Sequence, residues 1–79
     1  MPTTKPITAE RIEATEQELI IGVAAGDVRI RWEDCSPKLA SATPQQRAEA
    51  ELSPGGYGIH WSTIDEDLAV GALISAIRT

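Results

Sequence analysis

An α+β fold, with one small antiparallel sheet covered by helices, is what this sequence predicts, and three observations carry that expectation. In VRIRW, Val28, Ile30 and Trp32 alternate with Arg29 and Arg31, the period of a strand with one buried and one wet face. In LAVGALISAI, Leu68, Ala72 and Ala76 recur at spacing four beside Ala69, Leu73 and Ile77, which is the period of a helix. Between them, Ser36-Pro37 and Thr43-Pro44 each set a capping hydroxyl before a proline, the arrangement of a helix start. Strands first and a helix last give a three-strand meander plus a later fourth strand, covered by short helices and a C-terminal helix.

Taken in order, TAERIEA (8–14) is expected as a partly exposed first strand with Ile12 and Ala14 inward. TEQE (15–18) makes a polar turn. LIIGVA (19–24) is a short apolar run, consistent with a strand buried on both faces. AGD (25–27) supplies a tight reversal, and VRIRW (28–32) returns alongside. Glu10 or Glu13 on the first strand is expected to face Arg29 and Arg31. DCSPKLAS holds one helical turn, with Ser36 as cap and Pro37 in the first position. ATPQQRAEAEL repeats the device: Thr43 caps, Gln46 completes a capping box, and the helix is expected from Pro44 to about Glu51. SPGGYG (53–58) breaks the chain. YGIHW (57–61) alternates again as the fourth strand, with Tyr57, Ile59 and Trp61 on one face and Gly58 and His60 on the other. STIDED is a loop, and the last helix is expected over 68–77. Gly71 either weakens that helix by about 1 kcal/mol or permits close packing on the sheet.

The chain has 79 residues, 42% of them hydrophobic and 24% charged, a composition that belongs to one small folded domain. The polar stretch 1–6, with two prolines, reads as a flexible arm ahead of a single domain over 7–79. Net charge is −5, which disfavours nucleic acid and anionic membrane as partners and suits a small basic protein. Cys35 is the one cysteine, so no internal disulfide forms and a reducing compartment is expected. No signal peptide is recognisable, and the longest apolar run, Leu19 to Ala25, is far short of a membrane span. The expected location is the cytoplasm.

SPKLASATPQQR followed by GGYGIHWSTIDEDLAVGALI resembles the bacterial family called domain of unknown function 2442. The matching residues are Ala42, Thr43, Pro44 and Arg47, then Gly56 to Trp61, Ile64 to Leu68, and Leu73 with Ile74. The resemblance covers roughly residues 9 to 77. Gly26-Asp27 departs from the Asp-Gly turn the family often uses. Ala69 stands where the family often has a serine, so a helix cap is expected from Asp67 or a neighbour. The resemblance implies a small α+β domain with no settled reaction. It also implies pairing with a second small protein encoded alongside, similar to toxin–antitoxin arrangements. Some longer relatives add a helix-turn-helix DNA-binding domain, which a chain ending at Thr79 is expected to lack.

Five groups of residues invite a chemical reading. His60 near carboxylates suits a general base or a metal ligand, but with no second His and no Cys at ligand spacing a structural hydrogen bond is the stronger expectation. Asp65, Glu66 and Asp67 are consecutive, and three adjacent residues do not all converge on one hard cation. Ahead of a helix, their expected role is capping. Cys35 sits between Asp34 and Ser36, which opposes a reactive thiolate. Trp32 and Trp61 are the largest apolar groups in a chain without Phe, and core is their expected place. Arg29 and Arg31 lack interleaved aromatics, which is weak support for nucleic acid. No catalytic residue, metal or cofactor is therefore assigned. His60, Trp61, Asp65, Glu66, Asp67, Arg29 and Arg31 are the residues expected to meet a partner. The function expected is a non-enzymatic interaction module, the acidic member of a toxin–antitoxin-like or regulatory pair, with a homodimer as a further expectation. The alternative is a small metal-dependent or His-based hydrolase using His60 with Asp65 or Asp67.

Overall fold

Burial on both faces places LIIG at the centre of a sheet. In the computed structural model, which describes residues 7–77, β2 (Glu18–Val23) lies between β1 (Arg11–Ala14) and β3 (Gly26–Arg31), antiparallel to both. Leu19, Ile20 and Ile21 are all buried. The arm expected over 1–6 lies outside the described residues. On β1, Ile12 and Ala14 pack against the core as expected.

The outer face of this sheet is charged but compensated. Arg11, Gly22 and Asp27 stand in one row across the three strands. Because Gly22 carries no side chain, Arg11 lies across it; a Cβ there would stand 2.7 Å from the Arg11 Cγ. Arg11 then grips both Asp27 oxygens at 2.7 and 2.8 Å. Arg29 pairs with Glu18 at 2.8 Å and Arg31 with Glu33 at 3.5 Å. These replace the pairing expected with Glu10 or Glu13. Glu13 sits opposite Ile20 on β2, so a whole strand, about 10 Å across the two gaps, separates β1 from the arginines.

Trp32 ends the alternation by turning into α1 (Trp32–Cys35) rather than completing the strand. It remains buried, and its indole Nε1 donates to the Thr15 carbonyl at 2.9 Å. α2 (Pro37–Ser41) starts as expected, with the Ser36 Oγ accepting from the Leu39 amide at 3.2 Å. α3 (Pro44–Arg47) carries the full capping box: Thr43 Oγ1 accepts from the Gln46 amide at 3.1 Å, and Gln46 Oε1 from the Thr43 amide at 3.0 Å.

Three expectations fail downstream. The helix stops at Arg47, and Ala50–Leu52 forms β4 instead. Ala50 and Leu52 alternate toward the core opposite Trp61 and Ile59. A helix this short holds only weakly on propensity, so tertiary pairing decides the matter. Tyr57 does not share the face of Ile59 and Trp61. It sits just before β5 (Gly58–Trp61) with helical backbone angles and is 55% exposed. Finally, residues 66–69 are not loop and helix start but a strand, β6 (Glu66–Ala69). A 3-10 turn at Ser62–Ile64 and a left-handed Asp65 (φ 51°, ψ 54°) reverse the chain into it. The last helix, α4 (Val70–Ile77), begins only after that strand. β4, β5 and β6 make a second antiparallel sheet in that order, so the α+β fold has two three-stranded sheets where one of four strands was expected.

The sheets, α2 and α4 enclose Leu19, Ile21, Ile30, Leu39, Ile59, Val70 and Ile74 around two indoles. Trp32 and Trp61 meet edge to face, centroids 6.4 Å apart at 82°. A strap before β1 is tied to the turn between β4 and β5, where the Ala9 amide donates to the Gly56 carbonyl at 2.7 Å. Gly56 has a φ of 76° and no room for a Cβ against the Ala9 backbone, so glycine is required there. Gly71 is different: a Cβ on it would meet nothing within 4 Å, so it serves no close approach.

Candidate functional site

Strand alternation on the second sheet decides which side chains face out. From the register, Glu51, His60 and Asp67 form one outward row, and Gly58 with Ala69 forms the next. Ser53 joins the second row through two bonds to Gly58, amide to carbonyl at 2.9 Å and Oγ accepting from the Gly58 amide at 2.8 Å. Small residues in that row leave a trough. It holds a hollow of about 330 Å³ lined by Ser53, Tyr57, Gly58, His60, Asp67 and Ala69, and by Ile59 and Leu68 between them. The half-exposed Tyr57 ring forms one rim.

Beside the trough, His60 Nδ1 stands 2.7 Å from Asp67 Oδ1, with 38% and 76% of the side chains exposed. The carboxylate orients the ring and leaves Nε2 pointing elsewhere. Among the described residues no hydroxyl or thiol is hydrogen-bonded to Nε2. The Ser53 hydroxyl already accepts the Gly58 amide.

The three consecutive acids go to three different places, and none caps α4, which has no acid in its first turn. β6 separates them from the helix. Asp65 occupies the left-handed turn, and its carbonyl accepts from Lys38 Nζ at 3.0 Å. Glu66 Oε1 accepts from the Asp67 amide at 3.3 Å. Asp67 pairs with His60. Trp61 is fully buried, its indole donating to the Arg47 carbonyl at 3.1 Å, so the expectation that it meets a partner is corrected. Arg29 and Arg31 lie on the first sheet, in ion pairs and away from the trough. The expected partner residues thus divide between two faces, and only His60 and Asp67 share the hollow.

Behind β6, a second hollow of about 190 Å³ is lined by Asp34, Cys35, Leu68, Ala69, Ala72, Leu73 and Ala76. Burial pushes the Cys35 thiol up to about 11, with Asp34 adding to the rise and Arg47 opposing it. The thiol is therefore protonated and a poor nucleophile near neutral pH. Among the described residues, no group of three or more His, Cys, Asp or Glu side chains converges to hold a metal ion. No helix there is long and apolar enough to cross a membrane.

One residue with a large structural part was not assigned a role from the sequence. Arg47 donates Nε to the Leu39 carbonyl at 2.9 Å and Nη2 to the Ala40 carbonyl at 3.0 Å, while its guanidinium lies 5.5 Å over the Trp32 ring. Its place at the end of a capped four-residue turn was the available signal.

A family model described as "Protein of unknown function (DUF2442)" matches residues 9–79. A comparison with curated proteins found no match. Among solved structures, a protein of unknown function from Rhodospirillum rubrum superposes with a TM-score of 0.80 at 23% identity, over 91% of this chain and 89% of that one. An uncharacterised protein from Chromobacterium violaceum, solved by NMR, gives a TM-score of 0.71 at 27% identity, over 91% of this chain and 68% of that one.

Proposed function

We propose that this chain, which belongs to the DUF2442 family, is a non-enzymatic protein-interaction module that takes a small basic protein as partner. The observation behind this reading is the trough on the second sheet. It is floored by Gly58 and Ala69, rimmed by the half-exposed Tyr57, and bordered by Asp67 and Glu51. An exposed aromatic ring beside a small-residue floor is the usual form of an anchor site. Carboxylates at its border favour a partner of opposite sign, and the chain carries a net charge of −5. The acidic half of a toxin–antitoxin-like or regulatory pair, acting in the cytoplasm, is the role this chemistry suits. The test is affinity capture of the tagged full chain from its native host, wild type beside Tyr57→Ser. A basic protein retained in stoichiometric amount by the wild type and lost from Tyr57→Ser supports the proposal. A wild-type chain that comes down alone, or a variant that retains the same proteins, refutes it. Self-association is the lesser proposal, and light scattering showing a strict monomer would end it.

The hydrolase reading has one observation in its favour, the His60–Asp67 pair at 2.7 Å in a solvent-open hollow. Asp65 does not line that hollow. A nucleophile in hydrogen-bond reach of the base is what a triad needs; His60 is bonded to Asp67, and the Ser53 hydroxyl accepts from the Gly58 amide and makes no bond to His60. Stoichiometric metal in the purified chain, lost in His60→Ala without unfolding, would favour the hydrolase over the interaction module.

A further inference from the structure

We infer that the partner segment binds as an added strand along the outer edge of β6. This rests on the interaction reading above and says how the contact is made. In an antiparallel pair, hydrogen-bonded and non-hydrogen-bonded pairs alternate. The Val70 amide donates to the Tyr57 carbonyl at 2.9 Å. Counting along the register, Leu68 with Ile59 and Glu66 with Trp61 are the hydrogen-bonded pairs. The amide and carbonyl of Asp67 and the amide of Ala69 consequently point away from β5, toward the sheet's outer edge, while the Ala69 carbonyl, one residue before α4, is taken by the first turn of that helix. Among the described residues no strand pairs there, and the Asp67 amide is met only by the carboxylate of its own neighbour Glu66 at 3.3 Å.

The two hollows flank this same edge, and Leu68 and Ala69 line both. One lies on the outer face of the sheet, between Tyr57 and His60. The other lies on the face toward which Leu68 points, against Ala72 and Leu73 of α4. An added strand projects successive side chains to opposite faces, so it would place one apolar side chain in each hollow while its backbone continues the ladder. The charges select the occupant. Asp34, Asp67 and Glu66 carry carboxylates around the edge, which matches an extended segment with lysine or arginine beside its apolar residues. The β3 edge of the first sheet is defended. By the same alternation, fixed by the Trp32 amide donating to the Gln17 carbonyl, Asp27, Arg29 and Arg31 offer their backbone groups at the β3 edge. Three charged side chains in a row are a known guard against strand pairing.

The test uses the full chain and a displayed library of random nine-residue peptides, the most enriched of which is then synthesised. Enriched sequences are expected to alternate apolar and basic residues. On binding, exchange of the Ala69 amide is expected to slow at least tenfold. Ala69→Pro, which removes that outward N–H without touching the β5 pairing, is expected to weaken binding at least tenfold. Slowed exchange in the wild-type chain stands as a readout even where the proline variant does not fold. Unchanged Ala69 exchange in the bound state, equal binding by a folded Ala69→Pro, or no enriched peptide overturns strand addition. Protection of Ala69 that grows with protein concentration and no peptide overturns it too, in favour of a second copy of this chain. None of these outcomes touches the native-host capture, so the interaction reading fails or survives separately.

Discussion

Replacing Arg47 should damage this domain more than its half-exposed position suggests. The side chain closes the carbonyl end of α2 with two bonds, to Leu39 at 2.9 Å and Ala40 at 3.0 Å, and covers Trp32 at 5.5 Å. A hydrogen bond from a charged donor contributes about 1.5 kcal/mol at the low end of its range, which suits a partly buried group. Stacking on the indole adds about 0.5–1 kcal/mol. The loss is softened because the Leu39 carbonyl also accepts the Ala42 amide and the exposed Ala40 carbonyl can turn to water. Arg47→Ala is therefore expected to cost about 2–3 kcal/mol. In a domain this small, that is a fall in Tm of about 10–20 °C. Arg47→Lys should recover little, because one ammonium neither bridges two carbonyls nor stacks as a plane. Urea unfolding followed by far-ultraviolet circular dichroism measures both. An alanine variant within about 0.5 kcal/mol of wild type, the range of ordinary surface substitutions, would refute the reasoning. A lysine variant equal to wild type would show that charge matters and the planar fork does not.

Three further outcomes follow from local geometry. Gly71→Ala should raise stability by up to about 1 kcal/mol, since the added methyl meets open space in α4; a lower urea midpoint would contradict this. Gly56→Ala should lower it by at least about 2 kcal/mol, given the positive φ and the Ala9 backbone in the way, and a neutral result would mean that the strap is not gripped there. Cys35 should react slowly with a disulfide reagent at pH 8 when folded and quickly in urea. Burial raises its folded pKa to about 11 from the ordinary 9.0, so its contribution to stability is complete below pH 9 and is lost as pH rises toward 11. Cys35→Ser should abolish that portion of the alkaline loss, and an unchanged pH profile would count against it.

The first half of the fold was legible because its signals are local. Alternation in VRIR, the apolar LIIG run and two Pro-led caps each depend on neighbours a few residues away, and β2, β3, α2 and α3 appear where those signals stand. The second half depended on pairing across a loop. Ala50–Leu52 and Glu66–Ala69 are made of Ala, Glu, Asp and Leu, residues that favour helices or caps. Both became strands because β5, between them, offered two edges and a buried Trp61 to cover. The site shared that fate. Reading the acids as caps followed from placing the helix start at Leu68, and once β6 intervened, Asp67 turned to His60 instead. Tyr57 was assigned inward by extending the alternation one residue too far, past the point where the backbone leaves the extended region.

β6 is the place where local preference and observed structure disagree most. Glu-Asp-Leu-Ala has little intrinsic tendency to be a strand, it runs only from Glu66 to Ala69, and it stands at the edge of its sheet. Its hold on β5 comes from the Leu68–Ile59 and Glu66–Trp61 ladder pairs, from Leu68 packing against the core, and from the Val70 amide bond to Tyr57 just beyond the strand. A sequence chosen only for stability would place β-branched residues there, as the chain does at β2 with two isoleucines and a valine. Local rules tend to be broken where a second requirement acts on the same residues. On the strand-addition proposal that second requirement is the choice of partner: Glu66 and Asp67 would meet their like in a second copy of this strand, whereas a segment of opposite charge would reach the Ala69 amide between the two hollows. If that proposal holds, the composition that makes β6 hard to read from the sequence is also the one that a selective, strand-accepting edge requires.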